Sequence, residues 1–465
     1  MLVNLLKPFK SGLKDYTELR AQVNKTRHVS FLAGNMVSNT QSAKGGVSAR
    51  VYKGGTFGFA SGAEYSNESI KNVLVAATDN AAFMDKHVQK NLPPLPSLSA
   101  SAVIPGKFGF EAKAQAEIAQ SVLINYAKAL DSMITEKYKK LCSRSLFVNC
   151  LDIEKLLAVS DGEDSHSWQP RSLVYVFMTA ENDEGVPVEL YQSFGGLGRF
   201  DELFSDPALL SGELDLLYEA LMLKREGVYS NAGLAKCVMG PELAGILAHE
   251  AVGHTVEADI VMGGSVAAHN LGKQVASELV TMVDFAHSVQ GKLCPLPVYV
   301  DDEGVVAEDV TLIENGILKN FMHSRESARH FGVKPQGNAR AFTFSDEPLI
   351  RMRNTAILPG KSKLEEMIAS IDDGYYLVKT GNGQADTTGE FMFSVGLGYE
   401  IKKGKLGRAI RETTISGVAF QMLKTVDMIS DDMHWESGGF CGKKQPMTVG
   451  MGGPAIRCDV NIGGR

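Results

Sequence analysis

His249 and Glu250 are adjacent and followed by His254 in Leu247-Ala248-His249-Glu250-Ala251-Val252-Gly253-His254, the pattern in this chain best suited to hydrolysis. Imidazoles hold a borderline cation such as Zn²⁺, and a neighbouring carboxylate accepts a proton from the attacking water. The spacing departs from the common metalloprotease helix. Histidines four apart lie about 40° apart around an α-helix, whereas residues five apart lie about 140° apart. A regular helix therefore cannot easily bring both rings to one ion. A one-residue π-type bulge brings the ring directions closer, and such bulges occur at functional sites. The sequence thus predicts a widened turn between His249 and His254, with Gly253 making the backbone permissive.

Spacing alone leaves two readings open: a metal site, or two histidines satisfied inside a packed helix. A third ligand decides between them, since open catalytic sites usually keep three protein ligands. Nearby candidates are Glu257 and Asp259. Distant ones are Cys441, flanked by glycines in Gly438-Gly439-Phe440-Cys441-Gly442, and the lone histidines His269, His287, His323, His330 and His434.

The elements around this segment divide the chain near residues 227–232, giving expected domains 1–229 and 230–465. In the first, residues 45–52 and 56–60 read as a hairpin about Gly54-Gly55, and Ile70, Val73, Leu74, Ala77 and Ala81 follow at helical spacing within 67–89. Residues 92–105, with four prolines, read as a linker, 110–140 as a second long helix, and 145–150 and 156–160 as two strands. A hairpin turns at Asn182-Asp183-Glu184-Gly185, and a helix covers roughly 207–224. In the second domain a strand ends at Gly240-Pro241, where a helix starts and runs to about Val261, proline being tolerated in its first turn. Short strands with Gly, Asn or Asp turns follow, such as 310–313 and 317–322 about Glu314-Asn315-Gly316. The fold class expected is α+β: an N-terminal α/β domain with antiparallel sheet and helices, then a mainly antiparallel β domain around one marked helix.

Glycine supports this division. Of 47 glycines, 17 lie in residues 1–229 and 30 in residues 230–465, as many hairpins or a close-approach surface require. The net charge of −7 argues against general nucleic-acid binding. No apolar run reaches the roughly 18–20 residues of a membrane span. Six cysteines without CxxC spacing, and no signal-peptide core, read as reduced thiols in a cytoplasmic protein.

Together these residues resemble the TldD/PmbA family of metallopeptidases, and within it the metal-bearing TldD type, also known as modulators of DNA gyrase. The match rests on the His249–His254 helix with Glu257 and Asp259, and on Cys441-Gly442-Lys443, Val449-Gly450-Met451-Gly452 and Pro454. Between them, in family order, lie Asp302-Glu303-Gly304, residues 312–318, Gly337-Asn338-Ala339-Arg340, Arg351-Met352-Arg353-Asn354-Thr355 and Leu358-Pro359-Gly360. It is strong over 230–465 and looser over 45–90 and 110–225. The resemblance implies zinc, or iron or another divalent metal, held by His249, His254 and Cys441, with Glu250 as general base. It also implies a large, curved, barrel-like C-terminal β domain carrying the motif helix. The implied substrates are peptides or unfolded proteins, and the implied assembly is a homodimer or a heterodimer with a sister subunit lacking the metal motif. Thr255 and Ala258 stand where the family often has glycine, which bears on fine specificity. Glu257 is placed to orient His254, and Gly383 and Gly452, in residues 381–384 and 450–453, are candidates for a wall along which an extended peptide pairs. The competing function is a non-catalytic peptide-binding or regulatory subunit with a structural metal.

Overall fold

The computed structural model describes residues 2, 4–13, 15–87, 95–96, 107–109, 118–162 and 164–464. Three long strands open it: β1 (Tyr16–Leu32), β2 (Asn35–Lys53) and β3 (Thr56–Gly62). Helix α1 (Asn67–Met84) buries Ile70, Val73, Ala77 and Ala81, and the Ser66 side chain caps it by accepting from the Ser69 N–H. It lies close on β3 because Gly58 has no side chain; a Cβ there would stand 2.1 Å from the Ala81 nitrogen. After β4 (Lys107–Gly109) and helix α2 (Gln120–Lys137) come β5 (Ser143–Val159), β6 (Ser165–Glu181), β7 (Pro187–Leu197) and helix α3 (Ser211–Arg225). The sheet order is β3-β2-β1-β5-β6, with β4 and β7 also on β6. All pairings are antiparallel except β4 with β6. The two strands expected at 145–150 and 156–160 are one continuous β5. The expected linker at 92–105 and the start of the 110–140 helix fall largely outside the described residues.

One face of this sheet packs on α1, α2 and α3. The other meets the second half of the chain: Gln22 and Asn24 donate to the Phe342 carbonyl at 2.6 and 2.8 Å. Alternation along a strand sends neighbouring side chains to opposite faces, so both faces of β1 become buried.

The second half begins with β8 (Gly233–Met239) and helix α4 (Pro241–Ile246), whose Pro241 occupies the first turn. One set of strands is β9 (Met282–Phe285), β10 (Val310–Glu314), β11 (Ile317–Leu318) and β12 (Asn354–Ile357). Then follow β13 (Asp373–Ala385), β14 (Glu390–Lys402), β15 (Lys405–Ile410), β16 (Thr413–Val418), β17 (His434–Glu436), β18 (Gly450–Gly453) and β19 (Ile456–Ile462). Strands β13-β8-β19-β16-β14 form a ring closed by β14 on β13, with β15 added to β14. A separate six-stranded sheet runs β11-β10-β9-β12-β18-β17. The architecture is α+β as expected, but in place of one large curved antiparallel barrel there are a small five-stranded barrel and further sheets. Two pairings, β8 with β13 and β12 with β18, are parallel. The hairpin turns follow the sequence closely: Asn315 and Gly316 both have positive φ (46° and 81°), as a two-residue turn matching strand twist requires.

Candidate metal centre

Helix α4 lies between the barrel and the second sheet, with Leu243, Leu247, Ala251 and Val252 in their common core. Glycine permits the contact on one side: a Cβ on Gly245 would stand 3.0 Å from the Gly452 nitrogen of β18. Beyond Ile246 the helix widens into a π-turn over Leu247–Gly253, and the His254 N–H donates to the His249 carbonyl five residues back. This is the turn that the five-residue spacing predicts. It brings the His249 and His254 ring centroids to 5.2 Å. Gly253 serves it differently from the expectation. Its φ and ψ, −54° and −48°, are ordinary helical values. What excludes a side chain is space, since a Cβ would stand 2.1 Å from the Met352 sulfur.

The helix does not continue to Val261. Glu257 is extended (φ −72°, ψ 123°) because the Met322 backbone pairs with Val256 and Ala258 on either side of it. The break turns the buried Glu257 carboxylate back, so its Oε2 lies 2.7 Å from His254 Nδ1. Lys443 Nζ is 3.1 Å from the same oxygen and 2.7 Å from Asp259.

Cys441 arrives on a short hairpin, Phe440–Cys441 against Met447–Thr448. The fully buried Arg351 holds it by donating to the carbonyls of Cys441, Lys443 and Gln445 at 2.9, 3.0 and 2.8 Å. Arg171 and Tyr175 of β6 donate to the Ser437 and Gly438 carbonyls just upstream. Cys441 Sγ then lies 3.2 Å from His254 Nε2. One ligand atom from each of His249, His254 and Cys441 falls within 4.8 Å of the others, the one such group among the described residues. Glu250 borders it, with Oε1 3.8 Å from His249 Nε2 and Oε2 3.7 Å from His254 Nε2.

The electrostatics suit a cation. Burial pushes the Cys441 thiol up, but the His249 and His254 imidazoles beside it bring it down to about 3. Burial pushes His254 down, but the Glu257 carboxylate and Cys441 raise it to about 10. The pair is poised as a thiolate beside an imidazolium, and a thiolate is the form that binds metal. His249 is wholly buried, and neither ring nitrogen has a hydrogen-bond partner. A buried imidazole without partners is costly unless another group completes it, and a His₂Cys donor set fits zinc.

The remaining candidates separate clearly. Asp259 anchors Lys443 and supplies no atom to the cluster, and His269, His287, His323, His330 and His434 stand outside it. Gly452 sits on a strand paired on both sides, with β12 and with β17, so it offers no edge to a peptide. The place of its side chain is taken by the Trp435 ring and the His434 carbonyl instead. Gly383 packs against Phe393 of β14. There β13 runs past the end of β8, whose pairing stops at Leu377, and its other edge carries no strand among the described residues. A cavity of about 140 Å³ opens beside this edge, lined by Glu242, Ile246, Lys379, Gly381, Glu436 and Gly439. Sequence reasoning assigned no role to Arg351, Lys443 or Arg171. The first two stand in the quoted motifs, but only the folded chain brings their charges to the Cys441 hairpin and Glu257.

Comparisons with known proteins agree on one family. The model for the PmbA/TldA metallopeptidase C-terminal domain matches residues 232–464, and that for domain 1 matches residues 17–81. A metalloprotease of Methanocaldococcus jannaschii is 30% identical over 451 residues, covering 95% of this chain and 96% of that one. A metalloprotease of Methanothermobacter thermautotrophicus is 29% identical, covering 95% and 94%. A zinc metalloprotease TldD homolog of Saccharolobus solfataricus is 34% identical over 66% of each chain. The crystal structure of TldE from Thermococcus kodakarensis superposes with a TM-score of 0.77 at 19% identity, covering all of both chains. This last likeness concerns the fold.

Proposed function

Given that the chain belongs to the TldD/PmbA family of metallopeptidases, we propose that it hydrolyses peptides or unfolded proteins with a zinc ion held by His249, His254 and Cys441. The observation carrying this reading is His249, whose two buried, unpartnered nitrogens lie beside a thiolate and a second imidazole. A zinc ion there supplies a Lewis acid for activating water and polarising the carbonyl. The chain supplies the rest. Glu250 takes the proton of the attacking water on a carboxylate oxygen and returns it to the leaving amine nitrogen. Glu257, fixed by Lys443, holds the His254 ring through Nδ1 and leaves Nε2 facing Cys441. An extended substrate pairs through its backbone with the open edge of β13 at residues 381–384, next to the 140 Å³ cavity.

Glu250→Gln separates these roles. It keeps the fold and the metal, and it lowers the cleavage rate of an unstructured peptide by about 10²–10⁴-fold. Metal analysis and peptide hydrolysis on the same preparation check this. Retained hydrolysis would remove Glu250 from the reaction, and a metal-free, inactive wild type would remove the metal. No helix among the described residues is long and apolar enough to cross a membrane, so the reading involves no helical membrane span.

A further inference from the structure

A second cavity, of about 330 Å³, lies where the N-terminal sheet faces the Cys441 hairpin. Its apolar walls are Leu151, Leu173, Tyr175, Phe342 and Phe440; Arg171, Arg27, His28 and uncharged residues of β1 and β5 complete the lining. Of the two arginines, Arg27 already faces a carboxylate, Asp152, at 3.9 Å. Two observations set it apart from an ordinary packing gap. Phe440 is 52% exposed although its neighbour Cys441 is buried, leaving an aromatic face open at the cavity. Arg171 is only 3% exposed, yet it forms no ion pair among the described residues. Two of its five N–H groups donate to the carbonyls of Pro295 and Ser437, and none of the residues lining the cavity is acidic. Burial lowers the guanidinium to about 10, so it remains a cation at neutral pH.

A buried charge without a counter-charge is unfavourable, and the term is recovered when an anion arrives. The apolar walls specify what the anion is attached to. A free phosphate or sulfate satisfies the guanidinium but leaves the aromatic surface uncovered. A peptide's last residue, when apolar, satisfies both: its side chain lies on the walls, and its α-carboxylate accepts charge-assisted hydrogen bonds. The size agrees, at the lower end of the roughly 300–1,000 Å³ of small-molecule sites.

We propose that this cavity receives the carboxy terminus of the substrate, with an apolar last side chain against Leu173, Phe342 and Phe440 and the α-carboxylate toward Arg171. The inference rests on the peptidase reading for its purpose, but its binding test does not. Phe440 and Cys441 are consecutive, so the anchored end and the metal cluster flank one short strand. Cleavage is then favoured near a free carboxy terminus.

The test uses an unstructured pentapeptide ending in Phe, its C-terminal amide, and an amidated pentapeptide ending in Glu. Calorimetry on the Glu250→Gln protein measures binding without turnover. The free acid binds about tenfold or more tightly than its amide, the order expected for a hydrogen bond to a charged group. In the Glu250→Gln/Arg171→Gln protein that difference disappears. Metal content is measured alongside, because Arg171 also holds the Ser437 carbonyl. Should that variant misfold, the acid–amide contrast in the parent protein still decides. Equal affinity of acid and amide, or no binding of either, overturns the inference. Tightest binding of the Glu-ending amide overturns it too, since the cavity then reads an acidic side chain. Hydrolysis by the wild type is scored separately. Cleavage with no acid–amide contrast removes this inference alone, and a contrast without cleavage removes the peptidase reading alone.

Discussion

Glu257 has the environment of a residue that orients a metal ligand. It is fully buried, 2.7 Å from His254 Nδ1 and 3.1 Å from Lys443 Nζ, and it contributes no atom to the His249, His254 and Cys441 cluster. A carboxylate on the far nitrogen of an imidazole fixes the tautomer and raises the basicity of the near one. Glu257→Gln keeps the size but removes the charge shared with Lys443. Zinc affinity is expected to fall about 10–100-fold, read by competition with a chelator, while the fold measured by circular dichroism stays unchanged. An unchanged affinity would reduce Glu257 to a partner of Lys443. The acidic residues near the motif were visible in the sequence, and so was the placement of Glu257 to orient His254; the anchoring of Lys443 by Asp259 was not. Glu257 and Asp259 looked equivalent as ligand candidates until the Met322 pairing broke the helix between His254 and Ala258.

At the scale of the element, the π-turn follows from steric packing more than from flexibility. Gly253 is helical, and the Met352 sulfur occupies the place of a side chain. Gly253→Ala therefore overpacks the contact and destabilises the protein by about 1–3 kcal/mol. Adding Met352→Ala to that variant restores part of the loss, because it vacates the space. Denaturant unfolding of the two variants distinguishes this from a backbone effect, in which the second substitution only adds its own cost. The existence of the turn was legible from the five-residue histidine spacing alone. Its partner was not, because Met352 lies 99 residues away in sequence.

Across the whole molecule, a buried charge network joins the two halves. Arg50 of β2 lies 3.3 Å from Glu18 of β1 and 2.7 Å from Glu303, and Asp302 lies 2.7 Å from Lys155 of β5. Burial pushes Glu18 up to about 7 even against the pull of Arg50. Arg50→Met leaves two buried carboxylates without their cation, and breaking such a pair costs about 3–5 kcal/mol. The expected result is a lower unfolding midpoint in denaturant. A change within a few tenths of a kcal/mol would mean that the two halves are held by their apolar and backbone contacts alone. The N-terminal sheet also carries most of the lining of the 330 Å³ cavity, Phe342 and Phe440 coming from the second half, and through Arg171 and Tyr175 it holds the chain leading to Cys441.

The sequence by itself determined the local matters. These include the helix of α1 from its apolar spacing, the hairpins from Gly-Gly and Asn-Gly turns, the widened turn from two histidines, and the family from ordered motifs. Each depends on residues close together in the chain, where propensity and periodicity act. Tertiary structure alone decided how distant segments close. It made a small five-stranded ring of β8, β13, β14, β16 and β19, fused two expected strands into β5, and paired β18 on both sides, withdrawing Gly452 from any substrate edge. Above all it brought Cys441 within 3.2 Å of His254 from 187 residues away. No periodicity encodes that approach, because it depends on how Arg351, Arg171 and the surrounding sheets place the hairpin.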